Sequence, residues 1–189
     1  MKLKRLLFIF AAFVLAPSIA LAGPIFNINR TIGVGSVVGT VETDGTLGVL
    51  STGNVIGWDL VIDDGDGNGL FNLLFPGNSN LLVSGSLLSA SATELLFDFS
   101  GNNGFALFQN PSTGSGINWW CVEGIDSGCA GSGSSTESVN RSGSPTFVTL
   151  SGVVVLGTTG NVGVPEPTSL ALLGLGLVGF GATRRGRRA

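Results

Sequence analysis

Three groups of residues in this chain have the types and spacing to do chemistry. The sharpest is Asp64-Gly-Asp66-Gly-Asn68-Gly69, preceded by Asp63. Side-chain oxygens at alternate positions followed by a turn glycine match the first half of a calcium loop, with Asp64, Asp66 and Asn68 as the ligands. The twelfth position of that loop is Phe75, where a bidentate Glu would be needed. The competing reading is a polar hairpin tip, because Asp, Asn and Gly tolerate the positive φ that tight turns require. No cofactor other than such a Ca²⁺ is expected. The second group is Trp119-Trp120, whose rings should lie on opposite faces of a strand. One ring then faces inward, and the other is a candidate to stack on a sugar. The third is Cys121 and Cys129, the two cysteines of the chain, which bracket Gly124 and Gly128. A nucleophilic Cys needs a base or cation beside it. With no His anywhere and two arginines between residues 23 and 164, a structural disulfide is the better reading. In the chain-entropy model a loop this short stabilises by ~2–3 kcal/mol.

The absence of His also removes His-dependent triads, His metal sites and any His general base. Paired carboxylates hydrolyse glycosides, yet no pairing can be read from the eleven acids between residues 23 and 164. Gly33-Val-Gly-Ser-Val-Val-Gly39 has the wrong spacing for a dinucleotide loop and no strand–loop–helix context. No catalytic residue is assigned, and a non-enzymatic protein is expected.

These groups sit in a chain of 189 residues with 11% charged residues, 43% hydrophobic residues and 31 glycines. Ordinary soluble domains carry about 25% charged residues. The basic residues concentrate at the two ends. Between 23 and 164 only Arg30 and Arg141 oppose the eleven acids, for a charge of about −9. Nucleic-acid binding needs basic side chains to displace counterions, so it is excluded as a function class.

The N-terminus has the three parts of an export signal. Lys2, Lys4 and Arg5 precede an apolar run from Leu6 to Leu15, and Ala20-Leu21-Ala22 supplies the small-x-small pattern that signal peptidase cuts. The expected cut lies between Ala22 and Gly23. The run is too short to remain as an anchor, since spanning takes ~20 apolar residues.

The middle, residues 23–164, shows no sustained helical period. Short β-branched and aromatic runs alternate with turn residues instead. Candidate strands are 31–41, 54–62, 70–75, 81–90, 94–99, 105–109, 117–122 and 147–156, with the last strand drawn from Ser138 to Thr159. Asp44-Gly45, Pro76-Gly77, Asn102-Asn-Gly104 and Asn110-Pro111 mark turns between them. About eight such strands predict an all-β ectodomain of the β-sandwich or jelly-roll-like kind. The helical content is confined to one terminal transmembrane helix, apart from a turn near Ala90 to Glu94. Trp58, Trp119, Phe71, Phe97, Phe99, Phe108, Phe147 and Val154 are the expected core.

The C-terminal 25 residues carry a second address. Pro165-Glu166-Pro167 keeps the chain extended. Leu170 to Ala182 is apolar or Gly throughout, and Arg184, Arg185, Arg187 and Arg188 follow. The span of about 168–183 is ~24 Å as a helix, short against ~30 Å of hydrocarbon but within reach of bilayer thinning and snorkelling. The arginines should stay cytoplasmic. This order of motif, short span and basic tail resembles the bacterial PEP-CTERM sorting signal, a signature that also carries the label of an ice-binding protein C-terminus. The resemblance implies a Gram-negative host, a precursor held in the inner membrane, and an exosortase that acts near Pro165–Pro167. It further implies delivery to the cell surface or extracellular matrix, in association with exopolysaccharide and biofilm. It leaves the ectodomain's activity open. Residues 39–58 are also similar to a recurrent small ectodomain of such proteins. Ice binding itself is not expected, because Thr forms no regular T-x-T ladder.

The organisation expected is a signal peptide at 1–22, an ectodomain at 23–164 and a sorting signal at 165–189. The leading function is a surface or matrix protein, with a carbohydrate-binding module using Trp119 or Trp120 as the rival.

Overall fold

The computed structural model describes residues 23–110, 117–128 and 134–160. The signal peptide, Cys129 and the whole sorting signal lie outside the described residues. No helix among the described residues is long and apolar enough to cross a membrane.

Thirteen strands form two antiparallel sheets. They are β1 (Ile25–Ile32), β2 (Gly35–Thr43), β3 (Gly48–Val49), β4 (Val55–Asp63), β5 (Phe71–Phe75), β6 (Asn80–Ser84), β7 (Leu88–Ala90), β8 (Glu94–Asp98), β9 (Phe105–Asn110), β10 (Asn118–Ile125), β11 (Ser134–Arg141), β12 (Thr146–Thr149) and β13 (Val153–Thr159). The first sheet runs β3-β7-β8-β13-β1-β2-β4-β5 and the second β12-β11-β10-β9-β6. The one helical element among the described residues is a 3-10 turn at Thr52–Asn54, and the turn expected near Ala90 is a non-helical bend. Asp44 braces the loop before that turn. Its carboxylate accepts from the Thr46 N–H and the Asn54 amide, and these bonds hold its pKa below the usual carboxylate value, the Thr46 N–H most of all. Any stability so gained is lost as pH falls through that lowered pKa.

Alternation builds the core. In β1, Phe26, Ile28 and Ile32 face inward while Asn27, Asn29 and Thr31 face out. The inward rows of both sheets meet in one hydrophobic cluster. An aromatic spine crosses between the layers. Phe75 stacks on Trp58 with centroids 4.6 Å apart, Trp58 meets Phe108 edge-on at 5.4 Å, and Phe108 stacks on Trp120 at 5.1 Å.

The structure revises several sequence expectations. Residues 31–41 are not one strand, because Gly33 at φ +59° turns the chain between β1 and β2. The run 81–90 divides into β6 and β7. The run 147–156 divides into β12 and β13, where Gly152 takes φ +70°. Strand β11 has no apolar alternation and went unassigned across its first half, yet it pairs with both β10 and β12. Phe147 is not core. It is 54% exposed, on the outward face of β12, which is the edge strand of the second sheet. Phe71 and Val154 are only partly buried against the core.

Candidate functional site

The Asp64–Gly69 segment is the tip of the β4–β5 hairpin, and it docks on the opposite sheet. Asp64 is fully buried. Its Oδ1 accepts from the Asp66 N–H at 3.2 Å, and its Oδ2 accepts from the Arg141 N–H at 2.8 Å. The Asp64 carbonyl accepts the Thr146 hydroxyl at 2.8 Å. Arg141 closes the clasp from the end of β11. Its Nη1 donates to the carbonyls of Asn68, at 2.7 Å, and Gly69, and its guanidinium lies 5.5 Å from the Phe71 ring centre. Asn68 donates its amide back to the Arg141 carbonyl.

Two backbone carbonyls of the loop, those of Asn68 and Gly69, therefore face a guanidinium. Asp64 has both oxygens committed to backbone N–H groups, which leaves it poorly placed to ligate a dication. No group of three or more Cys, Asp or Glu side chains suited to a metal occurs among the described residues. The expected result is a melting temperature that is the same in millimolar calcium and in EDTA, read by thermal unfolding of the purified protein. A calcium-dependent rise would restore the metal reading, because a ligand of the folded state stabilises by mass action.

The tryptophan pair lies on β10, and both rings are buried. Trp120 faces the core and donates its Nε1–H to Glu137 at 3.2 Å. Trp119 lies on the opposite face and is 9% exposed. It sits in register between Gln109 and Asn140, both buried too. Neither ring is open to a sugar, because β10 is covered on both faces. Cys121 is fully buried on the Trp119 face of the same strand.

Glu137, which sequence reading did not single out, is the polar centre between the sheets. It is fully buried, and Arg30 of β1 reaches it across the layers. The contact is forked, with Nε at 3.0 and 3.1 Å from the two carboxylate oxygens and Nη2 at 2.6 Å from Oε2. Arg30 Nη1 also donates to the Val155 carbonyl. Both arginines of residues 23–164 are thus engaged between the layers, so the outward-facing charge of the described residues is acidic. This extends the sequence argument against polyanions.

Among the clefts formed by the described residues are two open ones of about 240 Å³ each. One is apolar and lies at the mouth of the aromatic spine, between Val55, Trp58, Phe75 and Leu81. The other is polar and lies between the β8–β9 loop, the end of β6 and the loop after β10. Ser84, Asn103, Phe105, Asp126, Ser127 and Gly128 line it. No sequence signal marked the second cleft. Asn103 reads as a turn residue and Asp126 as part of a cysteine-bracketed loop, and only strand pairing brings them to one place.

Comparison with known proteins identifies one segment. Residues 163–188 match the model of the PEP-CTERM protein-sorting motif. The match covers Pro165, Glu166, Pro167 and the arginines at 184, 185, 187 and 188, all outside the described residues. No curated protein and no solved structure matches the chain. The chain therefore carries a PEP-CTERM sorting motif, which implies an exported, membrane-anchored precursor for exosortase processing.

Proposed function

We propose that this PEP-CTERM protein is a non-enzymatic component of the cell surface or extracellular matrix of a Gram-negative bacterium, associated with exopolysaccharide and biofilm. The observation that carries the reading is the sorting motif, which begins at residue 163, four residues after β13 closes the sandwich at Thr159. A processing motif placed this soon after the folded domain sets the cut next to the domain's end. Signal peptidase would remove 1–22, and the helix of about 168–183 would hold the precursor in the inner membrane until the exosortase acts. Replacing Pro165-Glu166-Pro167 with three alanines should leave the protein in the membrane fraction, while the unaltered protein leaves it. Fractionation and immunoblotting of cells with an active exosortase would show this. Equal release of both forms would refute the route.

The disulfide between Cys121 and Cys129 belongs to the same reading, since an exported chain matures in an oxidising compartment. Alkylation of the unreduced protein should label neither cysteine.

The rival, a carbohydrate-binding module, loses its first candidates with the burial of Trp119 and Trp120. The polar cleft beside Phe105 gives that reading a different site.

A further inference from the structure

We propose that the cleft lined by Ser84, Asn103, Phe105, Asp126, Ser127 and Gly128 binds one neutral sugar residue. The two loops that carry the cleft are closely packed. Gly101, Gly104 and Gly124 close so tightly on Leu87 that a Cβ on any of them would come within 2.6 Å of a Leu87 carbon. Backbone bonds zip the two loops together: Asn103 N–H to the Ile125 carbonyl at 2.8 Å, Gly124 N–H to Gly104 at 2.9 Å, and Ile125 N–H to Gly101 at 2.8 Å. Ser127 is fixed by its hydroxyl, which donates to the Gly124 carbonyl at 2.7 Å.

In these loops the chain holds Asn103 at φ +56° and Asp126 at φ +55°. Glycine adopts that conformation more readily, and the chain uses it at nine other positive-φ positions. At these two places it keeps an exposed amide and an exposed carboxylate beside a half-buried phenyl ring.

The chemistry of the lining selects the ligand. A carboxylate accepts hydroxyl protons, an amide both donates and accepts, and a ring edge or face offers an apolar wall to C–H groups. Among the described residues no cationic side chain lines the cleft, and Asp126 repels anions, so uronic and sialic acids are disfavoured. At about 240 Å³ the cleft falls below the ~300–1,000 Å³ of drug-sized sites, which suits a single pyranose ring. The proposal gives the carbohydrate reading its site. It is independent of the sorting route, because binding can be read whichever way the C-terminus is processed.

The test is a titration of the whole protein, purified from expressing cells, with methyl glycosides of glucose, galactose, mannose and N-acetylglucosamine, and with glucuronate as the anionic control. Saturable binding of at least one neutral glycoside with Kd near ~1 mM is expected, and none of glucuronate. Asn103→Gly and Asp126→Gly suit the local backbone, so both should melt close to the unaltered protein while binding at least ~10-fold more weakly. Failure of every neutral glycoside to bind, or binding unchanged in both variants, would overturn the site. Glycoside cleavage lost in Asp126→Gly would support the site and contradict the non-enzymatic reading of the protein.

Discussion

Glu137→Ala should destabilise the domain by about 3–5 kcal/mol, the range for removing one partner of a buried ion pair. The substitution leaves Arg30 facing the interior without its carboxylate, and it leaves the Trp120 indole N–H without an acceptor. Both sheets lose a contact, because Arg30 belongs to β1 and Glu137 to β11. Chemical denaturation reads the effect as a lower midpoint at an unchanged slope. The double variant Arg30→Met/Glu137→Leu should recover much of the loss, since apolar replacement of a buried pair is often neutral. A single variant as stable as the unaltered protein would show that the pair holds nothing together.

The second large effect is expected at the clasp. Asp64→Ala deletes the acceptor for two backbone N–H groups, Asp66 and Arg141, at a fully buried position. Leaving the Arg141 N–H unsatisfied costs about 1–3 kcal/mol, and the Asp66 N–H, on an exposed residue, adds less, so a loss of roughly 2–4 kcal/mol is expected. Asp66→Ala is the contrast. Asp66 is exposed, and the clasp uses its backbone N–H, so its side chain should matter little. Calcium ligation predicts similar losses for the two variants in calcium and no difference in EDTA. The clasp predicts unequal losses in both.

These residues also mark where sequence reading stops. Strands whose apolar residues alternate against solvent, such as β4, β8 and β9, were legible because one face must be buried. Strand β11 was not. Thr136, Glu137, Ser138 and Asn140 are buried although polar, and their partners lie on β10 and β1. A short-range pattern carries no trace of such pairing. The acidic loop was legible as a turn, and its spacing invited a metal. What it faces is Arg141, 77 residues beyond Asp64, and no local signal links them. Phe147 shows the converse limit, since it lies on the outward face of the edge strand β12 while its neighbour Val148 packs against the core. The sorting motif was legible because it is read as linear chemistry: Pro-Glu-Pro, an apolar stretch and a basic end, each defined by neighbours in sequence.

The central claim is that the chain is exported and then processed at its C-terminal motif. Intact-mass analysis of the protein extracted from the surface of cells with an active exosortase tests it most directly. The account predicts a species that begins near Gly23 and ends near Pro165–Pro167, and a longer, membrane-bound species in cells without the exosortase. A surface-extracted species that still carries Arg184–Arg188 in cells with an active exosortase would contradict it.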